Sequence, residues 1–182
     1  MENNDVLRRF RYALKIPDVT MVKIFKMAQC LIDQPQLLDL LKRKEEAGYV
    51  ACTTDLLERF FDGLILYNRG EPDGQNRDKN ETSSLQGQGQ HKEARGEDIR
   101  PQQRKRAMVS EVLDNNVILK KIRIALDLKQ EDMVEIFRLG EVNMTKGEFT
   151  ALFRKKGHKN YKECGDQYLK KFLHGLAVRH RM

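Results

Sequence analysis

Apolar positions recur near the start of the chain at Val6, Leu7, Phe10, Ala13 and Leu14, the i, i+1, i+4, i+7, i+8 spacing that gathers side chains on one face of an α-helix. The same stripe returns 112 residues later as Ile118, Leu119, Ile122, Ala125 and Leu126. A second helical stretch follows each, carrying Met21, Val22, Ile24, Phe25 and Met27 in one place and Met133, Val134, Ile136, Phe137 and Leu139 in the other. The third opens with "DQPQ" at Asp33 and "TKGE" at Thr145. In both, a cap oxygen is followed three residues later by Gln or Glu, the capping-box form, and Pro35 suits a first turn. Its apolar side is Leu37, Leu40 and Leu41, or Phe149, Leu152 and Phe153, and it closes with "KRK" or "RKK", cations suited to a helix C-terminus. The fourth has a broad apolar face of Leu56, Leu57, Phe60, Phe61, Leu64 and Ile65. Asn3 and Asn115 are the expected N-caps of the first helix, and Thr54 and Asp166 of the last. No segment reads as a strand, so the fold class is all-α.

The recurrence is a duplication. Residues 3–69 align with 115–181 without a gap, and 19 of the 67 pairs are identical, among them Leu7/Leu119, Arg11/Arg123, Met21/Met133, Cys52/Cys164, Phe60/Phe172 and Gly63/Gly175. An internal repeat fixes the architecture before any fold is chosen: two homologous four-helix repeats, 1–69 and 111–182. Between them, 70–110 is poor in large apolar side chains and rich in Gln, Gly, Asn and charge, the composition of a disordered linker. A flexible stretch of that length spans roughly 30 to 35 Å. The last-helix faces are broader than a domain of about 67 residues covers alone, which implies that the copies pack on each other or on another chain. Gly63 and Gly175 read as positions where a neighbouring helix approaches closely.

Composition narrows the setting. No apolar run reaches the roughly 20 residues that a membrane helix needs, the N-terminal stretch lacks the apolar core of a secretory signal, and a cytoplasmic location with no membrane partner is expected. Cys30, Cys52 and Cys164 are too few and too scattered for a disulfide framework or a metal knuckle. The formal charge of +7 is uneven: residues 1–69 and 70–110 contribute +1 each and residues 111–182 contribute +5. A basic second half raises the expectation of a polyanionic partner.

Taken together, the two copies of "NNxxLxxxRxALxL…MVxIF…LxxL…Y…C…FLxGL" resemble the bacterial YehS family, built from a tandem domain of unknown function. In the first copy Ile16-Pro17 stands where the second has Leu128-Lys129, and Phe61 and Asp62 vary the last motif. The resemblance implies a bacterial, cytoplasmic protein and brings no catalytic residues, cofactor or substrate.

Two binding readings follow from the residues. Helices two and three of each repeat are separated by a tight connection, which invites comparison with a helix-turn-helix: Val142, Met144, Phe149 and Leu152 fall on its apolar sites, as do Cys30, Ile32, Leu37 and Leu40. Against the comparison, Asn143 or Leu31 stands where the turn usually has Gly, and Leu139 or Met27 where a small residue is usual. On this reading Thr145, Lys146, Glu148 and Thr150 face bases, while Arg154, Lys155, Lys156, Lys159 and Lys162 bind phosphates. Asp33, Gln34 and Pro35 make the first copy a poor reader of a duplex, and Arg104, Lys105 and Arg106 would add a basic arm. The bland counterpart is that "RKK" caps a helix on a solvated face. The alternative reading is a protein-interaction or self-association module using the apolar faces of the last helices, with the linker permitting two-site binding.

Catalysis has the least support. His158, Cys164, Asp166 and His174 can be assembled into a nucleophile or metal constellation, but Glu46, Cys52, Thr54 and Asp62 stand at those positions in the first copy. No ligand spacing, phosphate loop or dinucleotide fingerprint occurs. A non-catalytic protein with no metal, no cofactor and no small-molecule substrate is expected.

Overall fold

The amphipathic stretches fold as eight α-helices in the computed structural model, which describes residues 1–70 and 113–181. The first repeat supplies α1 (Asn3–Leu14), α2 (Asp18–Met27), α3 (Gln34–Leu41) and α4 (Thr54–Arg69). The second supplies α5 (Asn115–Ala125), α6 (Gln130–Leu139), α7 (Lys146–Leu152) and α8 (Asp166–Arg179). Among the described residues there is no strand. The expected linker, with its Arg104-Lys105-Arg106 arm, lies outside the described residues apart from Gly70.

Helix starts differ from expectation by one residue in four places. Glu2 and Asp114 precede α1 and α5, and the Asp114 side chain accepts from Val117 N at 2.9 Å. Thr53 caps α4, accepting from Leu56 N at 3.2 Å, and Gly165 precedes α8 without a side-chain bond. Asn3 and Asn115 are instead inside the first turn, where their amides reach across to the carbonyls of Cys52 and Cys164 at 3.0 and 2.9 Å. Both capping boxes expected for the third helices form, Asp33 with Gln36 and Thr145 with Glu148.

The repeats do not fold side by side as closed bundles. Within each, the second helix packs on the last, α2 on α4 and α6 on α8. The first helix, however, packs mainly on the last helix of the other repeat, α1 on α8 and α5 on α4. All described residues consequently share one compact unit and a contiguous core. Leu57, Phe60, Phe61 and Leu64 of α4 and Leu169, Phe172, Leu173 and Leu176 of α8 are all buried, so the broad last-helix faces are covered within the chain itself. Phe10 lies edge-on to Phe60 and Phe61, with ring centroids 5.9 and 5.3 Å away, the geometry favoured by aromatic quadrupoles.

Close approach of the second and last helices depends on glycine. A Cβ on Gly63 would sit 1.9 Å from the carbonyl oxygen of Ile24, and one on Gly175 would sit 1.8 Å from that of Ile136. Neither backbone can yield without moving a helix.

Candidate functional site

Each repeat builds the same scaffold around a buried asparagine. Asn4 donates to the carbonyls of Leu40 and Val50 at 2.9 and 2.8 Å and accepts from Cys52 N and the Tyr49 hydroxyl at 2.8 and 3.0 Å. Asn116 donates to Leu152 O and Lys162 O and accepts from Cys164 N, all within 2.8 to 2.9 Å. A side-chain amide thus pins the long α3–α4 or α7–α8 connection to the start of the repeat's first helix, satisfying backbone groups that burial would otherwise leave costly. Sequence reasoning missed this pair. Its signal was present: a polar residue identical in both copies beside an apolar stripe.

In the second repeat that scaffold borders a recess of about 340 Å³ between α5 and the end of α7. Val117, Leu152 and Phe153 line it with Tyr161 and Asn116, and one carboxylate, Asp114, lines it as well. Lys120 comes from α5, and Arg154, Lys155 and Lys156 come from the residues just past α7. A second recess of about 410 Å³ shares Lys120 and Phe153 with the first and adds Arg69, Arg123 and Asp127. Arg123 lies 5.7 Å over the Phe149 ring and 5.3 Å over the Phe153 ring, a cation–π contact that fixes its guanidinium along this edge.

The corresponding edge of the first repeat also carries four cations and pairs three of them with carboxylates. Arg8, aligned with Lys120, pairs with Asp5 at 3.3 Å and donates to Lys42 O at 2.6 Å. Lys42, aligned with Arg154, pairs with Asp39 at 2.7 Å; Lys44, aligned with Lys156, pairs with Glu2 at 3.6 Å. Arg43 has its backbone amide on Glu46 at 2.8 Å. At the aligned positions of the second repeat Asp5 becomes Val117, Asp39 becomes Ala151, Glu45 becomes Gly157 and Glu46 becomes His158. Asp114, aligned with Glu2, is used as a helix cap. The cations are retained while most of the carboxylates facing them are lost.

The sequence-derived site residues divide into two groups. Arg154, Lys155 and Lys156 line the recess, with Arg154 Nη1 3.2 Å from His158 Nδ1, and Lys159 is exposed on the following loop. At the other end of α7, side chains are occupied locally. Thr145 Oγ1 accepts from Glu148 N at 3.2 Å, Thr150 Oγ1 donates to Lys146 O at 2.8 Å, and Lys146 is exposed. Lys162 is drawn to Glu148 at 3.1 Å and lies 5.2 Å over the Tyr168 ring. The hydrogen bond from the Thr145 backbone, followed by that from Lys162, holds the Glu148 carboxyl below its usual range, and the bond to Glu148 raises the Lys162 ammonium. Lys120, Arg123 and Tyr161 were not singled out from sequence. Lys120 had a signal in its alignment with Arg8.

The residues of the catalytic constellation have separate attachments. Burial pushes the Cys164 thiol up to about 12 and the Cys52 thiol to about 11, away from the thiolate a nucleophile needs. Asp166 accepts from the Asn115 amide at 2.9 Å, His158 Nδ1 accepts from Asn160 N at 3.1 Å, and His174 is exposed on α8. Among the described residues no group of three or more His, Cys, Asp or Glu side chains could hold a metal ion, and no helix is long and apolar enough to cross a membrane.

No solved structure matches the chain. A relative, the uncharacterized protein YehS of Escherichia coli (strain K12), is 32% identical over 179 residues, an alignment covering 98% of this chain and 96% of that one. The family model described as a protein of unknown function (DUF1456) matches twice, over residues 3–70 and again over 115–181, the two repeats whose helices are described above. By both measures the chain belongs to the DUF1456 family, that of YehS.

Proposed function

We propose that this is a non-catalytic nucleic-acid-binding protein that acts through the basic edge of its second repeat. The observation that carries the reading is the loss of carboxylates there. Cations on a solvated face ordinarily acquire acidic neighbours, as Lys42 and Lys44 do. The second repeat keeps these two cations as Arg154 and Lys156, while Ala151 stands where the first has Asp39 and Asp114, where the first has Glu2, caps α5. Such an arrangement costs self-repulsion and is relieved by a phosphate backbone, which supplies one negative charge per nucleotide and releases counterions on binding.

The test is fluorescence anisotropy with labelled DNA and RNA, comparing the natural chain with a variant in which Arg154, Lys155 and Lys156 are changed to Glu. Binding that weakens steeply between low and physiological salt, and that the variant loses while keeping its helical circular dichroism, is expected. Absence of binding to every nucleic acid at low salt sinks the proposal.

A further inference from the structure

We infer that the ligand of this edge is a single strand, RNA or DNA, rather than a duplex read by α7; the inference rests on the nucleic-acid reading above and narrows it. A recognition helix must offer uncommitted side chains to base edges. The hydroxyl of Thr145, the N-cap of α7, accepts from Glu148 N and donates to the Glu148 carboxylate, the Thr150 hydroxyl donates to Lys146 O, and Glu148 places a carboxylate at the reading end. The helix is also short, Lys146–Leu152, about 10 Å at 1.5 Å per residue.

Apart from the exposed Lys146, the cations lie instead at the opposite end of α7 and on α5, around concavities. A duplex presents its phosphates on a convex surface and keeps its bases stacked inside. A single strand offers bases that can leave the backbone and enter a pocket, where aromatic and apolar side chains hold them without regard to sequence. The recess of about 340 Å³ has that chemistry: Phe153, Leu152, Val117 and Tyr161 line it together with the four cations Lys120, Arg154, Lys155 and Lys156 and a single carboxylate, Asp114, whose side chain caps α5. The adjoining recess of about 410 Å³, sharing Phe153 and Lys120, continues the track towards Arg123 and ends where Arg69 pairs with Asp127 at 3.2 Å. In the first repeat the residues aligned with Arg154 and Lys156 are paired, Lys42 with Asp39 and Lys44 with Glu2, so one strand is engaged on one side of the protein.

The full chain is titrated into labelled oligonucleotides of about 12 nucleotides, as single-stranded RNA, single-stranded DNA and the corresponding duplex, at about 50 and about 150 mM salt. A strand in which thymine or uracil is replaced by its 5-iodo analogue is photo-crosslinked and the attachment mapped by mass spectrometry. Single strands bind at least about tenfold tighter than duplex, with a log–log salt slope of about −2 to −3, corresponding to three or four phosphates at about −0.7 each. Crosslinks fall on Phe153 or Tyr161, a readout that needs no destabilising core variant. Duplex binding as tight as single-strand binding, crosslinks confined to Lys146–Thr150, or full displacement of the strand by an equimolar mononucleotide overturns the inference while leaving phosphate recognition by this edge in place. Failure of all three oligonucleotides at about 50 mM salt overturns the broader reading with it.

Discussion

Lys121 of α5 crosses from the second repeat to the first, where its ammonium lies 3.3 Å from Glu58 and contacts Asp62 on α4. Its side chain is only 10% exposed, whereas Arg9, at the aligned position, turns back to Asp5 of its own helix at 2.8 Å. Changing Lys121 to Met would leave two half-buried carboxylates facing each other. A loss of about 1–2 kcal/mol is expected, between the values for exposed and fully buried pairs. An unchanged urea midpoint would show that the pair contributes nothing.

Gly175→Ala adds one carbon against the Ile136 carbonyl, and Gly63→Ala does the same against Ile24. Overpacking against backbone has no rotamer to relieve it, so each costs about 3 kcal/mol or more. Gly157→Ala, with nothing within 4 Å of the added atom but φ at +92°, is expected to cost less, about 1 kcal/mol. Equal losses at all three positions would contradict the packing described.

Asn4→Leu and Asn116→Leu keep the size of the side chain and remove its bonds to the connecting loop. Buried carbonyls and an amide would be left without partners, at about 2–4 kcal/mol per variant. Amide hydrogen exchange locates the effect: protection at Cys52 N or Cys164 N should fall before that of the helices. Uniform loss across the chain would show the asparagines to be generic core.

How far the sequence reveals this molecule depends on what kind of information a feature needs. The stripes at Leu7, Phe10, Ile118 and Leu119 need only periodicity, and those helices and the duplication are readable by inspection. Periodicity states that a face is buried without stating against which helix, so the exchange of α1 and α5 between repeats is invisible to it. Asn3 and Asn4 differ from a cap by one or two residues along the chain, a distance below what propensity resolves. Arg154–Lys156 are readable as a cation run. The pairing of Lys162 is not, because Glu148 meets it only after the chain has turned back from α7.

The basic edge makes a prediction by transplantation. Val117→Asp with Ala151→Asp restores to the second repeat the carboxylates that Asp5 and Asp39 supply in the first. Aspartate in the first turn of α5 also suits the helix dipole, so stability should hold while nucleic-acid affinity at low salt falls about tenfold or more, near 1.4 kcal/mol. In the opposite direction, Asp5→Val with Asp39→Ala should give the first repeat a measurable affinity of its own. Affinities unaffected by either exchange would show that neither this edge nor net charge governs binding; equal and opposite responses to the two exchanges would show net charge alone at work.

Both buried thiols bear on alkaline stability. With folded values of about 11 for Cys52 and about 12 for Cys164, the unfolded thiols ionise first, near pH 9. Their contribution is therefore constant below about pH 9 and is lost as pH rises through the folded values. Cys52→Ala with Cys164→Ala should flatten the fall in stability above pH 9, and alkylation of the native chain at about pH 8 should mark Cys30 first. Prompt labelling of Cys164 would contradict its burial.

The crossing of α1 onto α8 and α5 onto α4 means that a chain with a single repeat could cover its last helix in this way only by pairing with a twin. A symmetric pair of identical chains must carry every substitution twice, so it cannot keep the carboxylates of one edge while losing most of those of the other. A duplicated chain can, because its halves mutate independently. The present asymmetry, with Asp5 and Asp39 on one side and Val117 and Ala151 on the other, is a divergence open to the fused form alone.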